Sequence, residues 1–184
     1  MAVDVVILGL GYVGLPLARE ATLAGLEVVG FDINPDVVSA LNAGRSHIDD
    51  LSDGDVAEMT KAGFRATTDE SEIAEADAAI ICVPTPLSED GRPDLGAVSA
   101  AVATVARQLR PGMLVVLEST TYPGTTDELV RPVLEDSGLV AGRDFHLAFS
   151  PERIDPGNIK FGARNTPKVV GGHTPACTEA AASL

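Results

Sequence analysis

Val3-Asp4-Val5-Val6-Ile7-Leu8-Gly9-Leu10-Gly11-Tyr12-Val13-Gly14 opens the chain with an apolar run broken by three glycines. It reads as a buried strand running into a tight turn and then a helix. Gly9 permits the turn, Gly11 lets the backbone approach a pyrophosphate, and Gly14 lets the helix pack close to the strand. The helix N-terminus offers unpaired N–H groups and a positive dipole end to the phosphates. A lone G-x-G-x-x-G is common, and its context is what gives it weight. A second strand, Glu27 to Phe31, ends in Asp32, which lies 18 residues past Gly14 and 23 past Gly9. That is where a ribose-binding carboxylate belongs. Such an acid accepts bonds from the adenosine 2′ and 3′ hydroxyls and repels a 2′-phosphate, so NAD is expected over NADP. Gly9, Gly11, Tyr12, Val13, Gly14 and Asp32 are therefore candidate cofactor-binding residues. Asp32-Ile33-Asn34-Pro35 also looks like a helix start, which leaves a capping or turn role open for the acid.

Outward from this stretch, strands and helices alternate, the mark of a parallel sheet. Leu15 to Ala24 is an alanine- and leucine-rich helix with Pro16 in its first turn, where proline is tolerated. Pro35 to Ala43 is another, with Val37, Val38 and Leu41 at helical spacing and Gly44 as its stop. Further helices are expected over Asp55 to Ala62, Leu95 to Leu109, Asp127 to Leu134 and from Pro175 on, with a capped turn over Asp69 to Ala76. Further strands are expected at Phe64 to Thr67, Ala78 to Val83, Leu114 to Leu117, Phe145 to Phe149 and Lys168 to Gly172. The fold class is α/β, a doubly wound parallel sheet of the Rossmann type.

In such a sheet, ligands sit outside the carboxyl ends of the strands, where the strand order reverses. Three loops deliver polar residues there. Pro84-Thr85-Pro86 follows the fourth strand, and Thr85 is either a cofactor neighbour or a spectator in a rigid proline turn. Glu118-Ser119-Thr120-Thr121-Tyr122-Pro123-Gly124-Thr125-Thr126 follows the fifth. This stretch suits a polar lip beside nicotinamide or ribose, with Thr120 nearest the strand end. Thr125 or Thr126 is expected to cap the next helix. Ser150-Pro151-Glu152-Arg153 follows the sixth. Glu152 can hold a water or act as a base toward a substrate, and it can equally pair with Arg153 or another basic group.

The whole chain excludes some classes. Its 184 residues suit one large domain, or one domain with the beginning of another, and its hydrophobic fraction of 45% is ample for a core. Thirteen basic residues against 27 acids leave a formal charge of −14, which makes nucleic acid and anionic membranes poor partners. A solvated acidic surface explains this balance, and a salt-adapted source would look similar. Two cysteines, Cys82 and Cys177, make neither a disulfide framework nor a metal cluster, and Cys82 reads as inert core. The acids Asp49, Asp50, Asp53, Asp55 and Glu58 lack the spacing of a calcium loop, so no metal is expected. His47, His146 and His173 share no ligand spacing and read as ordinary surface or core residues. No basic leader precedes the first strand and no apolar segment is long enough for a membrane span, so a cytoplasmic protein is expected.

Four motifs, in order, resemble the N-terminal half of the UDP-glucose/GDP-mannose dehydrogenase family. They are Gly9-Leu10-Gly11-Tyr12-Val13-Gly14-Leu15-Pro16, Val83-Pro84-Thr85-Pro86, Ser119 to Thr126, and Ser150-Pro151-Glu152-Arg153. The last two, with Asp155-Pro156-Gly157-Asn158 and Thr166 to Gly172, look most like the UDP-N-acetylglucosamine 6-dehydrogenase branch. The resemblance implies oxidation of a sugar C6 alcohol to a carboxylate with two NAD+, through a cysteine-bound thioester, in polysaccharide biosynthesis. It implies that Thr120 lies beside the nicotinamide and the catalytic water, that Glu152 belongs to the substrate and catalytic edge, and that Thr85 touches cofactor. Pro156 stands where UDP-glucose members carry a second glutamate, a departure that fits the acetamido-sugar branch. The family's nucleophilic cysteine, its lysine and asparagine helpers and its second nucleotide-binding domain lie downstream of the matched motifs. Neither Cys82 nor Cys177 sits in a matching motif. The expectation is an NAD-binding domain over residues 1–184 that belongs to a larger, homo-oligomeric enzyme. That enzyme takes a UDP-sugar, while this chain alone is inactive. Within the family, UDP-glucose or GDP-mannose stays open as the substrate. Two rival readings of the chain remain: a stand-alone NAD-binding regulatory module, and a different Rossmann dehydrogenase of the 6-phosphogluconate type. The Ser119 to Thr126 and Ser150 to Arg153 motifs argue against the second.

Overall fold

A computed structural model describes residues 3–88, 91–152 and 166–184. Among these, seven strands form one sheet: β1 (Val3–Leu8), β2 (Val28–Phe31), β3 (Arg65–Thr67), β4 (Ala76–Ile81), β5 (Leu114–Leu117), β6 (His146–Phe149) and β7 (Gly171–Gly172). Their spatial order is β3-β2-β1-β4-β5-β6-β7. All neighbours are parallel except β7, which runs antiparallel to β6. The order doubles back between β1 and β4, so the chain leaves one edge at β3 and resumes on the other side of β1. This is the doubly wound arrangement, and its crevice opens at that reversal.

The connecting helices are α1 (Gly14–Leu23), α2 (Pro35–Asn42), α3 (Asp53–Lys61), α4 (Gly96–Gln108), α5 (Arg131–Glu135) and α6 (Pro175–Ser183). Alternate strand residues face opposite sides, which explains why the strands read as continuous apolar runs. Val6 and Leu8 of β1, with Val115 and Leu117 of β5, pack against Val98, Val102 and Val105 of α4. Val5 and Ile7, with Leu114 and Val116, pack on the other face with Leu15 and Ala18 of α1 and Val56 and Met59 of α3. Each such side chain, fully buried, contributes about 1.5–3 kcal/mol. Both layers therefore hold the sheet's carboxyl edge in place.

Several local expectations change. The fourth strand begins at Ala76 and ends at Ile81, so Cys82 and Val83 already belong to the loop at the cavity. The strand expected over Lys168 to Gly172 narrows to Gly171–Gly172. The helix expected over Asp127 to Leu134 is a π-helical turn, Thr126–Val130, running into α5. Pro132 has no N–H to give Glu128, so the ladder widens there, and Arg131 N–H bonds back to the Thr126 carbonyl. Neither threonine caps this segment, contrary to expectation. Thr125 occupies the cap position in a helical conformation, and its hydroxyl donates to the Tyr122 carbonyl at 2.8 Å.

Candidate functional site

The glycine turn is built as its residue types require. Gly9 has φ +91°, and a Cβ there would meet the Cys82 carbonyl at 2.9 Å. A Cβ on Gly14 would stand 1.9 Å from the Gly9 carbonyl oxygen, so helix and turn touch through backbone. Gly11 is the opposite case: nothing lies within 4 Å of where its Cβ would be. Free space in front of Gly11 is the cradle an incoming pyrophosphate needs. No side chain caps the N-terminus of α1, so its first turn faces that space uncapped.

Asp32 sits at the end of β2, half-buried. Its Oδ2 accepts from Leu10 N–H at 3.0 Å and its Oδ1 from Asn34 N–H at 2.9 Å. The helix cap is Asn34, whose side chain accepts from Asp36 N–H. Asp32 is thus a turn acid that ties the glycine turn to β2, and it also lines the cavity described next.

A cavity of about 600 Å³ runs along the carboxyl ends of β2, β1, β4 and β5. It gathers Gly9, Gly11, Tyr12, Val13, Asp32, Thr85, Thr120 and Glu152, every candidate site residue except Gly14, which packs behind the turn. Between the ends of β2 and β5 are three strand spacings, about 14 Å, an extended slot with a carboxylate at one end. Ala97, Ala100 and Ala101 of α4 give it an apolar wall.

Two hydroxyls stitch the loops after β4 and β5. Thr85 Oγ1 donates to the Thr120 carbonyl at 2.7 Å, and Ser119 Oγ donates to the Val83 carbonyl at 2.7 Å. Thr85 is therefore no spectator, since it fixes the backbone that carries Thr120. Beneath them Glu118, 4% exposed, forms an ion pair with Lys168. Burial pushes the Glu118 carboxyl above its ordinary range, and Lys168 opposes that. Cys82 Sγ lies 4.0 Å from Glu118 Oε2. Burial, and then Glu118, push its thiol well up, consistent with an unreactive core cysteine. Glu152 lines the cavity half-buried, whereas Arg153 and residues 154–158 lie outside the described residues.

Sequence reasoning gave no role to Glu118, Ser119 or Lys168, which the structure places at or beneath the cavity; His47, read as an ordinary surface or core residue, is exposed and also lines the cavity. An acid placed directly at the end of an apolar strand was the available signal for Glu118. Its lysine partner is 50 residues away and carried no such signal. The acidic segment has local duties: Asp53 accepts from Ser46 N–H, and Asp55 closes a capping box with Ser52 and pairs with Arg19. His173 pairs with Asp127. Among the described residues no three His, Cys, Asp or Glu side chains gather as a metal site, and no helix is long and apolar enough to cross a membrane.

The sequence pattern of the UDP-glucose/GDP-mannose dehydrogenase family, NAD binding domain, matches residues 3–184. The chain belongs to that family. Within the family it is 40% identical to the UDP-N-acetyl-D-glucosamine 6-dehydrogenase of Pseudomonas aeruginosa, over 98% of this chain and 42% of that protein. It is 38% identical to the UDP-N-acetyl-D-mannosamine dehydrogenase of Salmonella typhi, over 97% of this chain and 44% of that protein. Its fold superposes on the UDP-D-ManNAc dehydrogenase of Pyrococcus horikoshii with a TM-score of 0.92 and 37% identity, covering 98% of this chain and 43% of that one. The chain thus spans less than half the length of these relatives and corresponds to the family's NAD-binding domain, with NAD as its cofactor.

Proposed function

We propose that this chain is the cofactor-binding part of a nucleotide-sugar 6-dehydrogenase acting on a UDP-N-acetylated hexosamine, in the first instance UDP-N-acetylglucosamine. One observation carries the reading: a single cavity joins the glycine turn and Asp32 at one end to Thr120 and Glu152 at the other. In this reading Gly9, Gly11, Tyr12, Val13 and Gly14 shape the pyrophosphate turn, and Asp32 receives the adenosine ribose hydroxyls. Thr85 holds the loop that bears Thr120, and Thr120 and Glu152 face the reacting end. When bound, NAD+ supplies the hydride acceptor for oxidation of the sugar alcohol. Glu152, at the strand's carboxyl end, holds a water or accepts a proton there. The acetamido-sugar names of the relatives above, together with Pro156, support the substrate class. Residues 1–184 form one cofactor domain of a larger, homo-oligomeric cytoplasmic enzyme of polysaccharide biosynthesis.

This chain alone binds cofactor without completing turnover. Supporting this, Cys177 is fully buried, and Cys82, although it lines the cavity, has its thiol pushed well up by burial and by Glu118, which disfavours a thiolate there. Calorimetric titration with NAD+ and NADP+ tests the reading. NAD+ should bind more tightly, and Asp32→Ala should narrow the difference. Asp32 also braces the turn through Leu10, so loss of affinity alone is ambiguous, whereas a changed NAD+/NADP+ ratio reports the ribose contact. Failure of the wild-type chain to bind either dinucleotide would sink the proposal, and steady NADH production with a UDP-sugar would sink the claim of inactivity.

A further inference from the structure

We infer that Glu118 biases this cavity toward the oxidised, cationic form of the nicotinamide dinucleotide over its reduced, neutral form. The inference rests on reading the cavity as the NAD site. Adenosine sits at Asp32, so the ring lies at the other end, where Glu118, Thr120 and Glu152 line the wall. Glu118 is buried, and its counter-ion stands behind it. Lys168 lines a separate cavity of about 280 Å³ on the α1 face of the sheet and does not line the cofactor cavity, whereas Glu118 lines both. The pair is therefore a dipole with its negative end toward the ring.

The surroundings preserve that field. The wall beside it is alanine and valine (Ala97, Ala100, Ala101 and Val83), where charges are screened less than in water. An oxidised ring carries a positive charge that the reduced ring lacks, while both forms share the same adenosine and pyrophosphate. A carboxylate at the ring end thus acts on the difference between the two. The bias favours loading with oxidised cofactor and release of the reduced one.

The test measures NAD+, NADH and ADP-ribose binding to the chain, wild type, Glu118→Gln and Glu118→Asp. ADP-ribose lacks the ring and reports the turn and Asp32 alone. The expected result is a fall of about three- to tenfold in the NAD+ over NADH affinity ratio for Glu118→Gln. Glu118→Asp should fall between the two, and ADP-ribose affinity should not move. A merely structural role would weaken both dinucleotides alike, so an unchanged ratio in Glu118→Gln overturns the inference. If that variant no longer binds ADP-ribose, Glu118→Asp decides: a lowered ratio supports the inference and a wild-type ratio overturns it. A wild-type chain that binds none of the three ligands overturns instead the dinucleotide reading itself.

Discussion

Gly11 and Gly14 stand three residues apart in one turn, yet opposite consequences follow from adding a methyl group to each. At Gly14 the new Cβ would collide with the Gly9 carbonyl at 1.9 Å, and backbone cannot rotate away as a side chain can. Gly14→Ala is expected to cost about 1–3 kcal/mol or more in urea unfolding and to abolish dinucleotide binding. At Gly11 the Cβ meets only open space, so Gly11→Ala should leave stability within about 0.5 kcal/mol of wild type. The same substitution should weaken NAD+ binding by about an order of magnitude, because in the function proposed above a pyrophosphate would occupy that space. Measuring stability and affinity on both variants separates a packing glycine from a ligand glycine. Equal stability losses would refute the distinction.

Two elements owe their ends to single side chains. Helix α3 begins with a complete capping box, in which Ser52 accepts from Asp55 N–H and Asp55 accepts from Ser52 N–H. Ser52→Ala should cost about 1 kcal/mol in thermal or urea unfolding. The same bonds to Ser52 hold the Asp55 carboxyl below its ordinary value, so the cap contributes stability above that value and loses it as pH falls through the lowered one. Ser52→Ala should therefore cost less at pH 3 than at pH 7, and an equal cost at both would count against this account. The loops after β4 and β5 depend on Thr85 in the same way. Thr85→Val removes the bond to the Thr120 carbonyl and should weaken NAD+ binding several-fold while costing about 1 kcal/mol of stability. Thr85→Ser should restore both.

For the whole molecule, opposing titrations shape the pH profile. Asp55, Asp69, Glu70 and Asp144 all have lowered values, from hydrogen bonds to Ser52, Ser71, Arg107 and Arg143. Their contribution is present above the ordinary carboxylate range and is lost as pH falls below about 4. Glu118 runs the other way. Its folded value lies above 4.5, so stability is lost as pH rises from there through the raised value. Relative to wild type, Glu118→Gln should become more favourable between pH 4.5 and pH 7, as followed by urea unfolding at both. A constant difference would show that the carboxyl is not strained by burial. By itself the sequence determined the parallel strands, the glycine turn and the place of Asp32 at the end of β2, because strand periodicity, turn chemistry and a fixed spacing along the chain are local properties that side chains dictate without distant neighbours. It also showed which loops deliver Thr85, Thr120 and Glu152, since every parallel strand ends at the same edge. Tertiary structure alone decided the pairing of Glu118 with Lys168, the Thr85 bond to Thr120 and the place of His47 on the cavity wall. Those contacts join segments tens of residues apart, and burial and charge there depend on how the layers close over the sheet rather than on any pattern along the chain.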